Sequence, residues 1–324
     1  MIARRSLLAA SAAGLAAPAL AQSGAWPNKA VRVIVPWPPG GSTDVLCRLL
    51  CEGLQQKLGQ SFVLENRPGA GGNIGADALA KSAPDGYSMA PLTLGAWHIN
   101  QFLYNRLPYD PQKDFQPISM HWQLPNVLVV SAAHNPANSF QEFVAWAKAQ
   151  RNGVSYGSPG VGTTGHLSGA MFTSRLGIDG THVPFRGAAQ IIPAMLSGDL
   201  TFALDNLASY VPVIQEGRCK AFVLTGAERW PTLPTIPTMA EVGVPDFVVE
   251  SWCAMAFPAG VPAAIVERAS AAIREVTEPA AMQDRFLRAG AKGVWSTPQA
   301  VLDRVTRERP MWQEVVRISG ARLE

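Results

Sequence analysis

Charge is scarce in this chain: Asp, Glu, Lys and Arg make up only 16% of its 324 residues, and they nearly cancel to a formal +3 at pH 7. Such a chain, with no basic run, has no electrostatic means of tracking a phosphate backbone, so nucleic acid is excluded as a partner. Cysteine is equally sparse, with four residues, too few to staple a chain of this length. Cys47 and Cys51 stand four apart on an expected helix, which puts them on one face without favouring a bridge. Cys219 and Cys253 fall near strand starts and could pair in an oxidising compartment; small buried hydrophobes is the preferred reading of all four. The five histidines (His98, His121, His134, His166 and His182) show no metal-ligand spacing. No Gly-x-Ser-x-Gly elbow occurs, because Tyr156 stands two before Ser158. Neither a metal, a cofactor nor a catalytic constellation is therefore expected. Long apolar runs are missing too beyond the first twenty residues, since Pro, Gly or a charge interrupts each one.

The exception is the start. Arg4 and Arg5 precede an uncharged small-residue run over 6–20, and Ala19-Leu20-Ala21 offers small residues where a signal peptidase reads. Residues 1–21 are read as a signal peptide cleaved before Gln22, too short and alanine-rich to span a bilayer. The twin arginine fits Tat export without separating it from Sec. Loss of the leader removes two arginines from +3 and leaves about +1. The mature chain is expected outside the cytoplasmic membrane.

Hydrophobic residues reach 48%, which argues for large buried surfaces. About 300 mature residues exceed what one core serves, so two domains are expected. Apolar runs and periodicity alternate strand with helix, an α/β pattern. Strands are expected over 31–35, 62–65 and 87–94, with helices over 43–58 and 74–81 between them. Ser42 or Thr43 is a natural N-cap and Gly59 a natural stop. A second series begins at the strand 127–130. It continues with helices over 140–150, 164–176 and 191–196, and strands over 154–156, 182–185, 201–205 and 221–225. A proline-rich crossover over 230–246 leads to a strand over 252–257 and a helical tail over 263–276, 280–288 and 298–318, kinked at Pro310. The halves repeat one order, which suggests two similar lobes: 22–126, then 127–249, with 250–324 returning to the first. Strands that cross between lobes twice would let them close as rigid bodies.

Two loops carry the chemistry. Pro38-Pro39-Gly40-Gly41-Ser42-Thr43 and Ser158-Pro159-Gly160-Val161-Gly162-Thr163-Thr164 each follow a strand and open a helix. A helix start offers unpaired N–H groups and a positive dipole end, so it holds an anion without a formal positive charge. One such loop per lobe would grip a small anion from both sides. Gly160 to Gly165 also spells a dinucleotide fingerprint, but the acidic residue expected at the end of the next strand is absent; Pro184, Phe185 and Arg186 occupy that zone. Asp44 is read as stabilising its helix start, and Asp205 as orienting the cleft or accepting a ligand N–H. His166 is read as a packing residue. Trp37, Trp97 and Trp252 are equally suited to cleft wall or core.

At these residues the chain resembles the Bug-type receptors, the periplasmic solute-binding components of tripartite tricarboxylate transporters. The resemblance runs through Val33-Ile34-Val35-Pro36-Trp37-Pro38-Pro39-Gly40-Gly41 with Asp44, Glu65-Asn66-Arg67-Pro68-Gly69-Ala70-Gly71-Gly72-Asn73-Ile74-Gly75, and Leu107-Pro108-Tyr109-Asp110-Pro111. It continues in Tyr156-Gly157-Ser158, His182-Val183-Pro184-Phe185-Arg186-Gly187 and Leu233-Pro234, nearly the whole mature chain. It implies a periplasmic, two-lobed α/β binding protein of Venus-flytrap form, each lobe a sheet flanked by helices. It further implies a monomer that takes no cofactor and catalyses nothing. Such a protein would capture a small carboxylate for a membrane permease or a sensor protein. By resemblance the ligand contacts fall on Trp37, Gly40, Gly41, Thr43 and Asp44 in one lobe, and on Gly162, Thr163, Thr164, Ala188 and Asp205 in the other. The chain departs from the family's pattern at Trp37, Cys47, Trp97-His98 and Ala170, from which a bulkier cleft and an aromatic or larger carboxylate are expected. A secreted hydrolase or lyase acting on a small carboxylate is the alternative, and it needs a nucleophile–base pair.

Overall fold

The computed structural model describes residues 26–323, so the expected leader and its cleavage point lie outside the described residues. The first half runs β1 (Val31–Val35), α1 (Ser42–Leu58), β2 (Phe62–Asn66), α2 (Asn73–Ala80), β3 (Ser88–Thr93), α3 (Asn100–Leu103) and β4 (Phe115–Ser131). The second runs α4 (Phe140–Lys148), β5 (Val154–Ser158), α5 (Thr164–Leu176), β6 (Gly180–Pro184), α6 (Ala188–Leu196), β7 (Phe202–Asn206), α7 (Leu207–Gln215) and β8 (Cys219–Leu224). The chain ends with β9 (Glu250–Pro258), α8 (Ala263–Thr277), α9 (Ala280–Arg288), β10 (Lys292–Gly293) and α10 (Pro298–Ser319), the last continuing as one helix through Pro310.

The strands join in the order β2-β1-β3-β9-β4-β7-β5-β6, with β8 and β10 also pairing β4. β4 is the shared member. Its residues Phe115 to Pro125 pair antiparallel with β9, and Asn126 to Ser131 pair with β7 and β8. Periodicity had placed a strand only from 127, because Pro117, His121, Gln123 and Pro125 break the apolar run. The register shifts beside Pro117 and after Met120 let the strand continue past these residues.

β1 explains why the first half is layered. Val31, Val33 and Val35 share one buried cluster with Leu50 and Leu54 of α1 and with Val266 and Ile273 of α8, while Ile34 belongs to the cluster holding Ala76 and Leu79 of α2. A parallel strand covered on both faces reads as a continuous apolar run. Return of the chain through β9 and α8 thus completes the core around β1. In the second half Phe143 of α4 is fully buried among Phe172, Phe202 and Phe222, with ring centroids 5.5–6.4 Å away.

Several helix features differ from expectation, the short α3 among them. Gly41, not Ser42 or Thr43, is the N-cap of α1, while Gly59 closes it in the left-handed conformation as expected. α7 has no counterpart among the expected elements, because Pro212 inside it reads locally as a breaker. All four cysteines are free and buried. Cys47 and Cys51 hold their sulfurs 3.9 Å apart, while Cys219 and Cys253 belong to different clusters.

Phe143→Ala removes the ring at the centre of this aromatic cluster. It should lower the unfolding free energy by about 3–5 kcal/mol, read as a reduced midpoint in urea or thermal unfolding followed by circular dichroism.

Candidate functional site

Both glycine loops open onto one cleft at the carboxyl ends of β1, β5 and β7, where open α/β sheets place their ligands. Its empty volume is about 740 Å³, the open mouth included. Gly41, Ser42 and Thr43 bring the start of α1 to it, and Thr163 and Thr164 the start of α5. The starts of α6 and α7 arrive too, through Ala188, Ala189, Asn206 and Ser209. No Lys, Arg or His is among the described lining residues; the only ionisable one is Asp205. Converging helix starts with no cation are suited to hold an anion through main-chain donors.

The loops are braced from behind. In the first, Gly40 takes φ +80, and its N–H donates to Asp44 Oδ2 at 3.0 Å. Asp44 also accepts from Arg48 Nε and Nη2 and from Asn66 Nδ2, at 2.9–3.0 Å. Burial alone would raise this carboxyl, but the hydrogen bonds from Arg48, Asn66 and Gly40 outweigh it and hold it below the usual range. In the second loop, Thr163 Oγ1 donates to the Gly160 carbonyl at 2.7 Å and accepts from the His166 N–H at 3.3 Å. The Gly162 N–H donates to His166 Nδ1 at 3.1 Å, and the His166 ring lies 4.0 Å from that of His182. Burial pushes His166 down to about 4 and His182 to about 3, so both rings are neutral props at physiological pH.

Eight of the ten expected contact residues meet at this cleft: Trp37, Gly41, Thr43, Gly162, Thr163, Thr164, Ala188 and Asp205. Gly40 and Asp44 do not line it. The Asp44 carboxylate is buried and occupied by Gly40, Arg48 and Asn66, whereas Gly40 is exposed at the surface of the turn and takes part only through its N–H. The bulkier wall is also corrected. Trp97 is 1% exposed, its indole donating to the Leu92 carbonyl, and His98 packs edge-on against Trp252, whose indole donates to Glu308. These side chains belong to the core, and neither Cys47 nor Ala170 reaches the cleft; Trp37 alone remains of the bulky set. Residues not anticipated are Thr93, Asn100, Asn206, Ser209 and Ser251. Ser209 reaches across the cleft, accepting from the Ser42 N–H at 3.1 Å with the two hydroxyls 2.6 Å apart.

One nucleophile–base pair does form: Ser158 Oγ lies 2.7 Å from His182 Nε2. Yet Ser158 is fully buried, does not line the cleft, and donates to the Gly160 carbonyl. It shapes the loop. The dinucleotide reading fares no better, since β6 ends at Pro184 and Asp179 precedes that strand.

Fold and cleft together define a periplasmic-binding-protein type of receptor, and comparison with known proteins makes the family specific. Residues 46–317 match the tripartite tricarboxylate transporter family receptor, TctC. The protein BugT of Bordetella pertussis is 35% identical over 321 residues, covering 96% of this chain and 95% of BugT. Among solved structures, Rpa4515 of R. palustris with adipate superposes with a TM-score of 0.89 at 33% identity, covering 92% of this chain and all of that one. MatC of Rhodopseudomonas palustris, with bound malate, gives 0.82 at 31% identity, covering 90% and 99%. The chain therefore belongs to the TctC receptor family of tripartite tricarboxylate transporters, and is a solute-binding receptor rather than an enzyme.

Gly162 sits at φ +82, and a Cβ there would run into the Leu103 side chain from the other half. Gly162→Val should therefore weaken ligand binding by at least about tenfold, the order of a steric clash at a packed site, as read by calorimetric titration. Gly41→Ala, whose added methyl meets only the Pro38 carbonyl at 3.7 Å, should bind as the wild type does.

Proposed function

We propose that this receptor captures a small dicarboxylate in the periplasm, between lobes formed by 26–126 with 250–323 and by 127–249. The observation that carries the reading is the convergence of four helix starts from both halves on one cleft with no cation among its described lining residues. Main-chain donors and hydroxyls suffice for a carboxylate. The ligands in the two solved relatives, adipate and malate, are both dicarboxylates and support that class. With Trp97 and His98 in the core, the argument for an aromatic guest loses most of its basis.

β4 runs between the proposed lobes and the chain returns to the first just before β9, so bending where β4 changes partners, at Pro125 and Asn126, would open and close the cleft. The Ser42–Ser209 pair joins the two sides and is a latch of the closed form. Export by the leader, action as a monomer and delivery to a membrane permease complete the reading. Among the described residues no helix is long and apolar enough to cross a membrane, which leaves translocation to that partner.

A thermal-shift screen of the mature protein against dicarboxylates of three to eight carbons, with benzoate and glucose as contrasts, tests the ligand class. A dicarboxylate at a hundred times its Kd should add about 2.7 kcal/mol of stability. A response to benzoate or glucose alone would refute it. Ser209→Ala should leave association nearly unchanged and speed release about three- to tenfold, as expected for a lost hydrogen bond, measured by stopped-flow fluorescence.

A further inference from the structure

Asp205 lines the cleft at 1% exposure, between elements that supply it with no counter-ion. From α7, the Tyr210 hydroxyl donates to Oδ2 at 3.3 Å, and the Asn206 N–H also reaches the carboxyl. From α5, Gly165 comes so close that a Cβ on it would sit 2.8 Å from Oδ1. The titratable residue in that turn, His166, is engaged with Gly162 and stacked on His182. β4 sets Val127 beside Asp205 in register. Across the cleft, the charges of Asp44 and Arg48 are spent on each other. Among the described residues no Lys, Arg or His lines the cavity to neutralise the carboxyl.

A carboxylate guest entering this cleft would therefore meet a second carboxylate in a poorly solvated space. Two such groups do not both stay ionised at close range; one takes up a proton. We propose that Asp205 takes a proton from solvent as the cleft takes its ligand, and in the complex donates it in a hydrogen bond to a ligand carboxylate. One H⁺ from water or buffer joins the Asp205 carboxylate, and no bond within the ligand changes. Asp205 is on this account a specificity determinant. A carboxylate end draws a proton onto it, whereas an uncharged amide of the same shape would donate its own N–H to the ionised carboxylate and drive no proton uptake. The proposal rests on the dicarboxylate reading above. Burial already pushes the free carboxyl up to about 6, partly opposed by Asn206 and Tyr210. At pH 7.5 the empty cleft is still mostly ionised, so uptake is measurable there.

Calorimetric titration of the mature receptor with adipate, and in a second arm malate, tests this in phosphate and in Tris at pH 7.5. The two buffers differ strongly in ionisation enthalpy, so their apparent binding enthalpies report proton exchange. Uptake close to one proton per ligand is expected, with affinity falling about tenfold per pH unit between pH 7 and 8.5. Asp205→Asn, whose amide donates without a proton, should bind with no exchange, with flat pH dependence, and more tightly than wild type at pH 8.5. Binding without proton exchange and with flat pH dependence in the wild type would overturn the proposal while leaving the dicarboxylate reading standing. Failure to bind either probe or any dicarboxylate in the screen would remove that reading and this proposal with it. Should Asp205→Asn not fold, the wild-type comparison between buffers decides alone.

Discussion

An anion can be held away from water without a positive side chain only if enough peptide N–H donors point at one place and stay there. In this receptor that requirement organises everything else. Helix starts from α1, α5, α6 and α7 meet at a single cleft, and each helix is aimed by the strand before it. Because a helix start weakens as a donor set if its loop can rearrange, the turns that precede α1 and α5 are braced by their own buried side chains. Asp44 ties Gly40, Arg48 and Asn66 together, and His166 holds the Gly162 amide while leaning on His182.

The same requirement explains the connectivity. Donors from two halves must face one another, yet must separate to admit a guest. β4 serves both halves as one 17-residue strand, and β9 runs beside its first part before α8 returns to α1. Few covalent paths therefore link the sides, while the cross-cleft contacts are small and local. Ser42 meets Ser209, and a Cβ on Gly187 would come within 3.1 Å of Pro38. Small residues at these points leave the guest and the closing surfaces little competition for space.

Much of this was legible before any coordinates. The glycine loops, the strand before each and the helix after each follow from local patterns, and α5 begins and ends where its periodicity says. Eight of the ten residues carried over from the family motifs line the cleft, and the other two show what motif position leaves open. Both lie in the same loop as Gly41, but the Asp44 carboxylate is buried under four hydrogen bonds from Gly40, Arg48 and Asn66, and Gly40 is exposed outside the cleft lining. Motif position carries no information about which way a side chain faces. Trp97 and His98 misled for the same reason: beside a cleft in sequence, they are core in space. The N-terminal part of β4 and the whole of α7 escaped notice because prolines that bulges and helix packing tolerate look locally like breaks.

What the sequence determined by itself is the set of local instructions: α/β alternation, paired glycine loops opening helices, scarcity of charge, and a family likeness dense enough to name the receptor class. These depend on neighbours within a few residues, where propensity and turn chemistry act. The tertiary structure alone decided which side chains share the cleft. Asn100, Ser251 and the Asn206–Ser209 turn at the start of α7 come from distant segments, and no spacing rule unites them. It also decided that Asp205 stands there without a counter-ion among the described residues, because a side chain's charge environment is set by packing across the fold and not by its neighbours along the chain.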